Sequence, residues 1–205
     1  KKVDPEPVLL TGASGFIGLH CVKHLIQSGF KVRGTVRSLE KQKLVQEVMA
    51  ANNVETKNIE FNLLDLNSDS GWEAAMVGCK YVMHVASPFW IASPKNDAEM
   101  MTPAVDGTLR VLRAAKKAKV KRVILTSSIV SMMSSIRRGL FTPEDWTDVD
   151  YPNLNTYIKS KTLAEKAAWK FLDENKGPSA PALVVIAPGG VFGPPLGTDI
   201  TGQSL

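Results

Sequence analysis

The segment TGASGFIG, Thr11 to Gly18, follows the apolar run PVLL and opens an amphipathic stretch that continues to Ser28. A glycine-rich turn between a strand and a helix decides how the rest of the chain is read. Gly12 permits the sharp turn, Gly15 lets a pyrophosphate approach the backbone, and Gly18 allows the helix to pack closely on the strand. The free N–H groups and positive dipole end of that helix then face the phosphates, and Ser14, Phe16 and Ile17 belong to the same cradle. The spacing is GxxGxxG, one residue longer between the first two glycines than the commonest dinucleotide fingerprint. The reading therefore rests on placement more than on the string. A glycine-rich turn without a ligand is the competing account.

Outward from this turn, short apolar segments recur between longer amphipathic ones. The expected strands are Pro7–Gly12, Lys31–Arg37, Ile59–Leu66, Tyr81–Ser87, Arg122–Ser128 and Ala182–Pro188. The expected helices are Phe16–Ser28, Leu39–Ala51, Asp97–Ala118 and Tyr157–Glu174. Continuous apolar strands alternating with helices predict a doubly wound α/β fold, a parallel sheet with helices on both faces. The stretch from Met132 to Asn155 reads as a surface excursion or insertion.

The chain has 205 residues, 44% hydrophobic and 22% charged, which is globular composition sufficient for one domain. Two cysteines, Cys21 and Cys79, are too few for a disulfide framework and point to buried thiols in a reducing compartment. With no apolar leader and no run long enough to span a bilayer, the expectation is a cytoplasmic protein without a membrane partner. No metal is expected. The net charge of +5 suits nucleic acid, anionic lipid or a phosphorylated small molecule alike, and its sign alone does not choose among them. The densest basic run, Ala114–Arg122, reads as the solvated end of a helix; it lacks the interleaved aromatics of a nucleic-acid surface, so no nucleic-acid partner is expected.

Two further features select the chemistry. Arg37 stands at the end of the second strand, where enzymes that use the unphosphorylated dinucleotide place a carboxylate. A guanidinium there suits a 2′-phosphate, with Lys41 and Lys43 adding charge, so NADP(H) is the expected cofactor. Asp65, followed by Leu66 at the end of the third strand, is a candidate contact for the adenine.

The second feature is NTYIKSKTLAEKAAWKF, Asn155 to Phe171. As a helix it lines up Tyr157, Ala164, Ala168, Phe171 and Leu172 on a buried stripe, and Lys161 falls on that stripe one turn beyond Tyr157. A buried ammonium needs a partner. Beside a phenol it favours the phenolate, so Lys161 is expected to lower the Tyr157 pKa from about 10 and to hold a cofactor ribose. An ordinary helix salt bridge from Lys161 to Glu165 is the competing account. Ser128 ends the fifth strand, where a hydroxyl reaches the same cleft and can hold a substrate carbonyl.

With TGASGFIG, TVR ending in Arg37, HVASP (His84–Pro88), PAVDGT (Pro103–Thr108), TSS (Thr126–Ser128), YIKSKTLAEKAAW (Tyr157–Trp169) and VFGP (Val191–Pro194), the chain resembles the extended short-chain dehydrogenase/reductase family. The resemblance falls in its branch of dihydroflavonol, cinnamoyl-CoA and methylglyoxal or aldehyde reductases. It implies that Ser128, Tyr157 and Lys161 are the catalytic trio, that Ala86 and Ser87 lie beside the cofactor ribose, and that Pro188 and Val191 lie beside the nicotinamide. It further implies NADPH-dependent reduction of a small-molecule aldehyde or ketone. Residues 1–205 would then be a single NADP-binding Rossmann domain, cut before a smaller substrate lobe. Homodimers through helices equivalent to Asp97–Ala118 and Tyr157–Glu174 are frequent among related proteins, and the oligomeric state stays open here.

Besides the cut before the substrate lobe, one departure and two alternatives accompany the resemblance. Met133 occupies the position of the asparagine with which plant dihydroflavonol reductases bind the flavonoid, which argues against that substrate. Phe89, Trp90, Met132 and Met133 are the candidate apolar pocket floor. Nucleotide-sugar epimerases or dehydratases and hydroxysteroid dehydrogenases share the trio, and a non-catalytic dinucleotide-binding regulatory protein would share the fold.

Overall fold

A computed structural model describes residues 4–88, 96–133 and 139–197. The apolar runs form β1 (Asp4–Thr11), β2 (Phe30–Val36), β3 (Ile59–Leu63), β4 (Tyr81–His84), β5 (Arg122–Thr126) and β6 (Ala182–Ile186). Between them lie α1 (Phe16–Gln27), α2 (Leu39–Ala51), α3 (Trp72–Met76), α4 (Ala98–Lys117) and α5 (Thr156–Glu174). The strands hydrogen-bond in the order β3-β2-β1-β4-β5-β6, every pair parallel. The order reverses between β1 and β4, and that switch point is where open α/β sheets bind ligands, beyond the carboxyl ends of the strands.

The strand periodicity divides the core into two layers. Leu9, Val82, Val123 and Leu125 face α3, α4 and α5, packing with Trp72, Met76, Val111, Leu112 and Ala168. Leu10 and Val32 face α1 and α2, packing with Val22, Val45 and Met49. Continuous apolarity in β6 predicted cover on both faces. Among the described residues only Leu183 and Val185 pack on a core, while Val184 and Ile186 are 37% and 51% exposed. The helices α1 and α2 lie over β1, β2 and β3 and do not reach this edge strand.

The buried arc of α5 is wider than the predicted stripe. Ser160, Lys161, Thr162, Ala164 and Ala168 are buried, because the helix packs on the sheet and on α4 together. The Ala114–Arg122 run closes α4, where Lys117 meets Glu73 and Lys116 donates to Asn175 Oδ1 at 2.8 Å.

Gly12 adopts φ +70°, and Gly18 packs so closely that a Cβ there would lie 2.0 Å from the Gly12 carbonyl oxygen. A Cβ on Gly15 would meet the same oxygen at 3.5 Å, ordinary contact. Gly18→Ala is therefore expected to lose about 2 kcal/mol or more in urea denaturation. Gly15→Ala is expected to lose about 1 kcal/mol or less. Equal losses would mean that the helix–strand contact at residue 18 relaxes freely.

Candidate active site

The turn from Gly12 to Gly15 is closed by Gly15 N–H donating to the Gly12 carbonyl at 3.1 Å, and Ala13 N–H donates to the Thr35 carbonyl at 3.1 Å. Leu19 N–H makes the first bond of α1, to the Gly15 carbonyl at 2.8 Å. The N–H groups of Phe16, Ile17 and Gly18 precede it and have no carbonyl one turn back. No side chain caps this terminus and no carboxylate lies in its first turn. Gly15 is exposed, so these donors meet a region with room for an anion. These residues fit a pyrophosphate.

Beside the cradle, a buried histidine joins three elements. Thr11 Oγ1 accepts from the N–H groups of Val85 and Ala86, both at 3.0 Å, and lies 2.8 Å from His84 Nδ1. The threonine proton therefore points at Nδ1, which leaves the imidazole proton on Nε2. Nε2 faces Thr108 Oγ1 at 3.4 Å, and that hydroxyl donates to the Ala104 carbonyl at 2.8 Å. Every proton has one place, and the chain ties the ends of β1 and β4 to α4. Burial, with the Lys161 charge as a second cause, pushes the His84 pKa down to about 3.

Lys161 is 6% exposed and donates from Nζ to the Thr126 carbonyl at 3.0 Å. Burial lowers its pKa to about 8, against the opposing charge of Glu165. The competing account, a Lys161–Glu165 salt bridge, is not what forms. Glu165 Oε2 accepts from Ser127 and, at 2.8 Å, from Ser131, and Oε1 accepts from Trp169 Nε1 at 3.4 Å. The carboxylate therefore acts on the ammonium through space. A cavity of about 10 Å³, lined by His84, Ser87, Thr108, Ser127, Lys161 and Glu165, lies behind the ammonium.

Ser128, 7% exposed, caps the short helical turn Ile129–Ser131. Its hydroxyl hydrogen-bonds the Tyr157 phenol. The expected cause of phenol tuning is corrected here. Burial raises the Tyr157 pKa, the bond to Ser128 pulls it down, and Lys161, turned toward Thr126, is not among the causes. Asn155 Oδ1 accepts from Tyr157 N–H at 2.8 Å and Thr156 donates to Asp97 at 2.6 Å, which fixes the start of α5.

The remaining predicted residues follow the ends of successive strands. Arg37 is exposed after β2, directly before Ser38, whose hydroxyl accepts from Lys41 N–H. Lys43 projects from α2, 3.7 Å from Glu47. Asp65 is exposed and accepts from Asn67 N–H at 2.8 Å. Leu66 packs over Gly107, where a Cβ would lie 2.9 Å from its own. Ala86 rests on Gly12, and Ser87 is half-buried beside the Lys161 cavity. The Pro188 carbonyl accepts from Ile129 N–H at 2.9 Å, which joins the β6 loop to the serine turn. Val191 is half-buried in that loop. Met132 is half-buried and Met133 exposed, while Phe89 and Trp90 lie outside the described residues.

Sequence reasoning assigned no role to His84, Thr11 or Thr108. The available signal was a histidine closing a strand on its core face, in phase with Val82. The described residues contain no group that would hold a metal and no helix long and apolar enough to cross a membrane. Both cysteines are free thiols.

An unfolded His84 takes up its proton below about pH 6.5, whereas the folded one resists until about pH 3. Stability is thus fully present above pH 6.5 and is lost as pH falls, by about 3 kcal/mol on reaching pH 4. Urea titrations of wild type and His84→Gln across this range are expected to show a flatter acid limb in the variant. Parallel limbs would show that His84 titrates normally.

Residues 8–200 match the NAD dependent epimerase/dehydratase family. An uncharacterized oxidoreductase of Schizosaccharomyces pombe is 35% identical over 203 residues, 92% of this chain and 59% of its own length. Dihydroflavonol 4-reductase of Hordeum vulgare is 38% identical over 179 residues, 82% of this chain and 49% of that protein. The yeast methylglyoxal/isovaleraldehyde reductase Gre2, solved with NADPH, superposes with a TM-score of 0.81 at 32% identity, over 92% of this chain and 59% of that one. The chain thus spans about half to three fifths of these relatives' length. With the family match nearly end to end, the chain belongs to the NAD dependent epimerase/dehydratase family, as an extended short-chain dehydrogenase/reductase related to the dihydroflavonol and Gre2-type reductases.

Proposed function

We propose that this chain is the cofactor-binding part of an NADPH-dependent reductase that converts an aldehyde or ketone to an alcohol. The observation that supports it is the meeting of the Tyr157 phenol and the Ser128 hydroxyl at the end of β5, with the buried Lys161 ammonium anchored to the same strand end. The similarity to Gre2, which was solved with NADPH, supports the choice of cofactor, and so does Arg37 after β2.

The pyrophosphate would rest on the N–H groups of Phe16, Ile17 and Gly18, with Arg37 on the 2′-phosphate and Lys161 on the ribose. When bound, the nicotinamide supplies the hydride. This chain's residues handle the oxygen and the proton. Burial keeps the Tyr157 phenol protonated at neutral pH, which is the form that can donate. Ser128 hydrogen-bonds the substrate oxygen and steadies the phenolate that proton transfer leaves behind. A small carbonyl compound is the partner, with a cytoplasmic location and pairing of two copies through α4 and α5 as finer parts of the same reading.

Two experiments test it. Tyr157→Phe is expected to lower NADPH oxidation with simple carbonyl compounds by about 1,000-fold or more while leaving NADPH binding within about threefold; full turnover in that variant would remove the phenol from the reaction. Lys161→Met is expected to abolish turnover and still raise stability at pH 7. The cause is that the ammonium is held against a pKa of about 8, and relieving that burial is worth about 3 kcal/mol. A less stable Lys161→Met protein would mean that its partners fully compensate the buried charge.

A further inference from the structure

The reductase reading accounts for Ser128, Tyr157 and Lys161 and leaves Glu165 without a role. Glu165 lies one turn beyond Lys161 on α5, half-buried, and its oxygens are occupied by groups on both sides of the serine turn. Ser127 and Ser131 flank Ser128, and both donate to Oε2. Ser131 Oγ also lies 2.9 Å from the Ser128 carbonyl, a second acceptor for its single proton, so the carboxylate tie sits directly against the Ser128 backbone. Trp169 closes the other oxygen from the next turn of the helix. The turn has a second anchor in Thr147, 1% exposed, whose hydroxyl lies 2.6 Å from the carbonyls of both Val130 and Met133 and shares its one proton between them. Thr147 N–H also donates to the Ser131 carbonyl and Ile129 N–H to the Pro188 carbonyl, both at 2.9 Å, so loops hold the backbone of the turn while Glu165 supplies its tie to α5.

We propose that Glu165 is a positioning residue: it lashes the Ser127–Ser131 turn to helix α5, so that the Ser128 hydroxyl, the Tyr157 phenol and the Lys161 ammonium keep one mutual geometry. The proposal rests on the reductase reading for its kinetic consequence and stands on the hydrogen bonds for its structural one. A neutral acceptor would serve a structural tie nearly as well as a carboxylate. The charge matters because Lys161 is buried beside it: Glu165 is the opposite charge that holds the ammonium's pKa up against burial. The other titratable groups near Lys161 are His84 from β4, neutral near pH 7, and Tyr157 one turn earlier on α5. From α4 and the end of β5 the cavity receives Thr108, Thr126 and Ser127, none of which titrates.

Glu165→Gln separates the two roles in the full protein. The expected result is a kcat lower by about 10- to 100-fold, with NADPH affinity within about threefold of wild type. The basic limb of the pH profile is expected to move down by about one unit, since loss of the carboxylate leaves burial of the ammonium unopposed. NMR titration of the Lys161 amine in cofactor-free protein reads the same shift without turnover. Ser131→Ala, which loosens the tie and leaves the charge, is expected to lower kcat and keep the Lys161 titration at its wild-type position. A Glu165→Gln protein with wild-type kcat and an unmoved Lys161 titration overturns the proposal. So does a kcat loss matched by an equal loss of NADPH binding and thermal stability, which would make Glu165 a general structural group. Should wild type reduce no carbonyl compound, the reductase reading fails alone; a moved amine titration would then still support Glu165, and an unmoved one would overturn it.

Discussion

A cation inside a protein must be held by something that leaves no freedom to its neighbours. Lys161 is held by the Thr126 carbonyl, at the last residue of β5, and by the field of Glu165. Both constraints act across the contact between α5 and the end of the central sheet. For the ammonium to reach that carbonyl, the helix must sit within one side-chain length of the strand end and present Lys161 inward. Small residues make this approach available: Ser160 and Thr162 beside the lysine, then Ala164 and Ala168 along the face. The same docking brings Tyr157 to Ser128. One costly buried charge thus sets the register of the helix that carries Tyr157.

The sheet provides the other half of the frame. With β1 and β4 as neighbours, their ends deliver Thr11 and His84 to one place. Gly12 then turns the chain into α1, and Gly18 lets that helix return against the turn. Thr11 meets this junction through its hydroxyl, accepting two backbone N–H groups from the β4 exit and passing its proton to His84. The glycine turn and the lysine cavity are therefore not independent of each other. They share the β4 exit, whose Ala86 touches Gly12 and whose Ser87 borders Lys161.

What was legible in the sequence divides along the same line. The GxxGxxG turn, the alternation of strands and helices, and the Tyr157–Lys161 spacing are local patterns, and a pattern within one element or across one turn survives folding unchanged. The burial of Lys161 was legible for this reason. The partners were not, because they come from other elements: whether Glu165 reaches back to Lys161 or across to Ser127 and Ser131 depends on where the β5 exit lies relative to α5. The pKa of Tyr157 follows from that arrangement. Its expected cause, the lysine, is drawn away to Thr126, and burial takes over. His84 had no local signature beyond its place in a strand. The five residues of α3 were too few to show a helical period. The apolarity of β6 promised two covered faces, but an edge strand has a second face only as well covered as the helices that reach it.

Proton assignment near the lysine follows one rule. Two cations buried side by side repel each other, so the site must choose which base carries the charge. Burial disfavours the charged form of both His84 and Lys161. The histidine has in addition a donor on one nitrogen and an acceptor on the other, a set that satisfies only the neutral ring. The lysine has a carbonyl to donate to and a carboxylate nearby, a set that favours the ammonium. Hydrogen bonding thus decides what desolvation alone would leave undecided. Each choice reinforces the other, because the ammonium helps to keep the imidazole neutral. The positive charge is thereby concentrated on the side chain that α5 carries one turn beyond Tyr157.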